Sequence, residues 1–104
     1  MNPSCMADVD DEKLEKGALC IKTLGHPLRL KILVVLGGGE ATQGEILSAI
    51  GTSQSNVAQH LARLRDKGVL ATRKEANQVF YRVRDPKLFA LLELVRELFC
   101  EPSS

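Results

Sequence analysis

Tryptophan is absent from this chain and aromatic residues are scarce altogether, with one Tyr and three Phe, so any core is built from aliphatic side chains. Missing too is an apolar run near the roughly 18 residues that a bilayer span requires. The N-terminal stretch has no secretory pattern, so no membrane association and a cytoplasmic location are expected. No Gly-rich phosphate loop, nucleophile–base pairing or metal-ligand spacing stands out, which argues against an enzyme. The three cysteines would be reduced in such a compartment. What is present suits one globular domain: 104 residues, 44% hydrophobic and 26% charged.

The net charge of +1 conceals a segregation. Residues 1–12 carry Asp8, Asp10, Asp11 and Glu12 with no Lys or Arg, a local charge of −4, and read as a disordered acidic arm. Residues 52–84 carry Arg63, Arg65, Lys67, Arg73, Lys74, Arg82 and Arg84 against Asp66 and Glu75, a local charge of +5. A basic block of this kind is what a nucleic-acid contact face produces, although a solvated face gives the same count.

From Lys13 the pattern is helical, with Leu14, Ala18 and Ile21 at helical spacing. Gly25-His26-Pro27 interrupts it, and Pro27 suits the first position of a second helix, Leu28 to Leu36. That helix is apolar except for Arg29 and Lys31, so burial of most of its circumference is expected. Gly37-Gly38-Gly39 ends it. Thr42, with Glu45 three residues on, predicts a capping box opening a short helix that Gly51 closes. Thr52 or Ser53 then caps a helix running to about Lys67 and Gly68. Two short helices joined by a Gly-containing turn form a helix-turn-helix signature.

After Gly68 the period changes to two. Val69 to Lys74 and Val79 to Arg84 read as paired strands around the connector Glu75-Ala76-Asn77-Gln78. Asp85-Pro86 restarts a helix, Asp as cap and Pro as first residue. This last helix carries Leu88, Phe89, Leu91, Leu92, Leu94, Val95, Leu98 and Phe99, more apolar surface than one small domain can cover, so a partner subunit is expected there. The whole reads as a mainly α domain with a β-hairpin over residues 13–100, followed by a tail at 101–104.

On the helix from Ser53 to Lys67, Val57, Leu61 and Leu64 fall within about 40 degrees of one another. The opposite side carries Ser55, Asn56, Gln59 and Arg63, with Gln54 and His60 on the flanks and no acid before Asp66. Asn and Gln can bond an adenine edge in two places, and Arg a guanine edge. Ser55 and the free N–H groups of the first turn suit a phosphate. An ordinary solvated face would be richer in Glu and Lys. The hairpin adds Arg73, Lys74, Asn77, Gln78 and Arg82, which either reach DNA or keep an exposed hairpin soluble.

The order of these motifs carries a family resemblance. His26-Pro27-Leu28-Arg29-Leu30-Lys31-Ile32-Leu33, then Gln54-Ser55-Asn56-Val57-Ala58-Gln59-His60-Leu61-Ala62-Arg63-Leu64-Arg65, Lys67-Gly68-Val69-Leu70 and Val79-Phe80-Tyr81-Arg82-Val83 resemble the ArsR/SmtB family of bacterial winged-helix repressors. The resemblance implies a winged helix-turn-helix fold, a homodimer built from the first and last helices, and an inverted-repeat operator on double-stranded DNA. It also implies an inducer that weakens DNA binding.

The family's usual metal ligands are not matched. The first helix of the helix-turn-helix reads Gly44-Glu45-Ile46-Leu47-Ser48 without Cys, and the last helix offers Glu93 and Glu97, with Asp85 before it, but no His. Neither a metal site nor a cofactor is expected. Cys100 resembles the last-helix cysteine of the family's thiol-switch members, which respond to oxidants or reactive sulfur. Their second cysteine falls where this chain has Leu33-Val34, so Cys20, one helix earlier, must supply any partner. Three readings of the cysteines stand: a Cys20–Cys100 redox or persulfide switch, an arsenite site of Cys20, Cys100 and Cys5, or buried small hydrophobes. The fold would also serve a protein–protein adaptor that binds no operator.

Overall fold

The chain's structure, a computed structural model, describes residues 10–100, without the side chains of residues 99 and 100. The arm up to residue 9 with Cys5, the side chain of Cys100 and the tail at 101–104 lie outside the described residues.

Helix α1 spans Asp11–Leu24. Asp10 caps it, its carboxylate accepting from the Lys13 backbone N–H at 2.8 Å. The helix thus begins inside the stretch that reads as an acidic arm, with Asp11 and Glu12 in the first turn where the helix dipole favours them. Only Thr23 and Leu24 of this helix are buried. His26 caps α2, Pro27–Leu36, its Nδ1 accepting from the Leu28 N–H at 3.1 Å. The expected burial around most of α2 does not hold. Ile32, Leu33 and Leu36 are buried, but Val34 is 71% exposed, because only one side of α2 packs on the rest of the subunit.

A three-residue strand, β1 (Glu40–Thr42), follows the glycine turn; nothing in the periodicity announces an element so short. Thr42 then opens α3 (Gln43–Ile50) with the expected capping box. Its Oγ1 accepts from the Glu45 N–H at 3.2 Å, and the Glu45 carboxylate accepts from the Thr42 N–H at 2.8 Å. Gly51 ends α3 at φ +76°, the left-handed conformation that favours glycine. Helix α4 spans Gln54–Asp66 and is capped by Ser53.

Strands β2 (Leu70–Glu75) and β3 (Gln78–Val83) form the expected hairpin, and β1 adds to it in an antiparallel sheet of order β1-β3-β2. Ala76 and Asn77 both adopt positive φ, 50° and 67°, as a two-residue hairpin turn of the I′ kind requires. Ahead of the last helix Asp85 accepts from the Lys87 N–H at 2.9 Å, but the cap position itself falls on Pro86, which has no side-chain cap bond, so the expected Asp cap is displaced by one residue. That helix, α5, runs Lys87–Val95 and continues as a π-helical turn, Arg96–Cys100; Pro86 stands just outside it rather than in its first position.

The core is aliphatic. Ile32, Leu33, Ile46, Val57, Leu61 and Leu64 have no exposed surface, and Leu70, Tyr81 and Val83 close the sheet side. Each such side chain contributes about 1.5–3 kcal/mol by leaving water. Since Val57, Leu61 and Leu64 all lie on α4, burial fixes the helix's rotation and turns its other face outward.

Candidate nucleic-acid interface

The outward face of α4 is the one the sequence marks. Gln54, Ser55, Asn56, Gln59 and Arg63 are all exposed, opposite the buried row Val57, Leu61 and Leu64. At the helix start, Ser53 Oγ accepts from the Asn56 N–H at 3.1 Å and the Ser53 carbonyl accepts from the Val57 N–H at 3.2 Å. The N–H groups of Gln54 and Ser55 are the first-turn donors that a helix leaves for an external acceptor. Asn56 Nδ2 donates to Thr52 Oγ1 at 3.3 Å, which orients the Asn56 amide. A shallow groove runs along the second half of α4, lined by Arg29, Gln59, His60, Arg63, Asp66 and Lys67.

His60 sits differently from its neighbours. It is half-buried, its ring centroid lies 4.4 Å from that of His26, and its Nδ1 accepts from Arg29 Nε at 3.1 Å. Arg29 also donates through Nη1 to the Thr23 carbonyl at 2.6 Å. One guanidinium thus ties the end of α1 to the middle of α4. Burial pushes the His60 pKa below its ordinary value of 6.5, and the charges of His26, Arg29 and Arg63 push it the same way. The sequence offers His60 as a DNA-side or packing residue; here its ring packs on His26 and Arg29 within the subunit, and it also lines the groove beside Gln59 and Arg63. Arg29 gives no such signal in the sequence, because a contact spanning 31 positions leaves no periodic trace.

In the hairpin, Asn77 occupies the turn, with Lys74 opposite Val79 and Glu75 opposite Gln78 just before it. Lys74, Asn77 and Gln78 are exposed. Arg73 is engaged: Nε donates to both carboxylate oxygens of Glu40 at 2.9 and 3.0 Å, and Nη1 donates to Glu75 at 2.7 Å. Its guanidinium carbon also stands 4.5 Å from the centre of the Phe80 ring. The hydrogen bond from Arg73, aided by the charge of Arg82, holds the Glu40 carboxyl below the usual carboxylate range.

Cys20 is exposed on α1 and is a free thiol. It borders a hollow with Lys16, Leu19, Thr23 and Lys67, and a second hollow that reaches Leu88 and Leu91 of α5. Among the described residues no cluster of three or more His, Cys, Asp or Glu side chains could hold a metal ion, and no helix is long and apolar enough to cross a membrane. Large apolar side chains stay exposed on α1 (Leu14, Leu19, Ile21) and on α5 with its extension (Leu91, Leu94, Leu98).

The α3–turn–α4 pair, braced by a three-stranded wing, defines a winged helix-turn-helix protein of the DNA-binding kind. The chain belongs to the ArsR family of transcriptional regulators: the family described as "Bacterial regulatory protein, arsR family" matches residues 26–72. The biofilm growth-associated repressor of Agrobacterium fabrum is 36% identical over 92 residues, covering 88% of this chain and 79% of its own. The solved structure of reduced HlyU from Vibrio cholerae superposes with a TM-score of 0.74 at 37% identity, covering 88% of this chain and 96% of that one. The transcriptional repressor BigR from Xylella fastidiosa superposes with a TM-score of 0.79 at 32% identity, covering 98% and 100%. HlyU is named a transcriptional activator and the other two repressors, so regulation of transcription is what they share. Like them, this chain is a regulator and not an enzyme.

Proposed function

We propose that this regulator is a homodimeric repressor that grips an inverted-repeat operator with α4 and the hairpin tip, and releases it when Cys20 and Cys100 are oxidised or persulfidated. The observation that carries the DNA-binding part is the outer face of α4: Gln54, Ser55, Asn56, Gln59 and Arg63 exposed together, above two uncapped N–H groups and with no acid before Asp66. Amides and a guanidinium read base edges, and free N–H groups hold a phosphate. The apolar stripe on α1 and α5 supplies the self-complementary surface that a two-fold dimer requires.

The thiol part rests on Cys20 being exposed close to Thr23, whose carbonyl is linked through Arg29 to α4. Cys20 lines one hollow with Leu88 and Leu91 of α5, the helix that leads to Cys100, and a disulfide requires the two Cα atoms within roughly 7 Å. Two thiols lose two electrons and two protons, a peroxide being reduced to water; an organic trisulfide instead has both its S–S bonds broken, its inner sulfur joining the two cysteines as Cys–S–S–S–Cys while its two ends leave as thiols.

The test treats the full chain with peroxide, an organic polysulfide or arsenite, maps the thiols by mass spectrometry and measures DNA binding in parallel. The expected result is a Cys20–Cys100 link, within or between subunits, with loss of DNA binding. Unchanged binding after treatment, a response confined to arsenite, or a Cys20→Ser variant that responds normally contradicts the switch.

A further inference from the structure

The wing shares its charges unequally between two faces. Strand register puts Ala71, Arg73 and Glu75 of β2, Gln78, Phe80 and Arg82 of β3 and Glu40 and Thr42 of β1 on one face of the sheet. Leu70, Tyr81 and Val83, which are buried in the core, lie on the other, and Lys74 shares that side. The first face carries two arginines, Arg73 and Arg82, and two carboxylates, Glu40 and Glu75, so its formal charge is nil. Arg73 stands at its centre. It spans from β1 to the end of β2, bonded to Glu40 on one side and Glu75 on the other, with Phe80 beneath.

We infer that Arg73 is a positioning residue, the brace that fixes the tilt of the hairpin against β1, and not one of the wing's phosphate contacts. Two independent features support this. The forked guanidinium is committed to two carboxylates and a ring at once, a geometry that an ammonium cannot reproduce. And Arg73 lies on the face turned away from the core on which α4 packs, whereas Lys74 lies on the other face and Asn77 stands in the turn. Its partner Glu40 lies on β1, two residues before the Thr42 cap of α3. The brace therefore ties the wing to the start of the helix-turn-helix, holding two DNA-reading elements in one relative setting. The inference rests on the wing touching DNA, as proposed above.

The test compares Arg73→Lys, Arg73→Gln and Lys74→Gln in the full-length protein. DNA affinity is measured over a salt series, on a short duplex recovered by in-vitro selection from a random-sequence pool. Lys keeps the charge that a phosphate needs but cannot bridge both carboxylates. The brace predicts that Arg73→Lys and Arg73→Gln weaken binding alike, about fivefold. It also predicts that both leave the slope of log Kobs against log salt at its wild-type value. Lys74→Gln should flatten that slope by about one unit for each phosphate that the lysine neutralises. Amide exchange in β2 and β3 should quicken in both Arg73 variants and not in Lys74→Gln, which reads the brace without DNA. Near-wild-type affinity for Arg73→Lys together with a flattened slope for Arg73→Gln would make Arg73 a phosphate contact and overturn the inference. A slope that none of the three variants changes, with hairpin exchange still quickened, retains the brace and rejects the wing as a DNA contact.

Discussion

Arg29 Nε donates to His60 Nδ1 at 3.1 Å, joining the second helix of the domain to the middle of α4. A nitrogen that accepts this bond carries no proton, so the neutral ring holds its proton on Nε2. Protonated His60 would face the positive charge of Arg29 at hydrogen-bond distance, with Arg63 on its own helix and His26 against its ring. Folding therefore disfavours the charged ring, chiefly through burial.

A pH dependence of stability follows from this arrangement. The unfolded chain takes up the His60 proton near the ordinary 6.5, and the folded chain only at lower pH. The stabilisation is complete above 6.5 and is lost as pH falls through the depressed folded value. Denaturant midpoints should fall on acidification across that window, and the corresponding component should vanish in His60→Gln. Ring titration followed by NMR should place His60 below 6.5.

Replacing Arg29 with Gln should act on the same pair from the other side. The Thr23 carbonyl and His60 Nδ1 lose a charged donor, at a cost of about 1–2 kcal/mol in chemical denaturation. With one cation removed from beside the ring, His60 should titrate at higher pH in this variant than in the wild type.

The hairpin turn offers a gain instead of a loss. Ala76 holds φ +50°, a region that costs an L-residue with a plain Cβ about 1–2 kcal/mol. Ala76→Gly should raise stability by about 1 kcal/mol and the melting temperature by about 5 °C. Asn77, unchanged beside it, already tolerates its positive φ.

The dimer proposal makes a prediction about the last helix. Leu94 is 54% exposed in the subunit, on an element whose apolar side chains exceed what the core can cover. If two copies bury it, Leu94→Glu removes about 3 kcal/mol or more per dimer, counted at both copies. Sedimentation should then show the dimer weakened at least about 100-fold, with DNA binding falling in parallel.

Those features that depend on near neighbours in the chain are legible in the sequence. The Thr42–Glu45 capping box, Pro27 opening α2, Gly51 closing α3 and the buried row of α4 all follow from spacings of three or four residues and from glycine's freedom at positive φ. The exposed amide face of α4 follows from that same row. What does not show is set by tertiary contacts. Glu40 lies in a strand too short for alternation to register, and its bond to Arg73 spans 33 positions. By sequence alone Arg73 is one more wing cation, and His60 one more polar residue of the helix. Val34 looks buried for a related reason: an apolar helix does not say which of its sides a single subunit covers.

Reading of DNA by the Gln59 and Arg63 face of α4 is tested by a salt series of equilibrium binding. Wild type, Gln59→Ala and Arg63→Ala would be compared on the selected duplex and on a scrambled one. Wild-type affinity should fall linearly on logarithmic axes as salt rises. Each variant should lose about 1–3 kcal/mol on the selected duplex while keeping its affinity for the scrambled one. Wild-type discrimination between the two duplexes in both variants would contradict it.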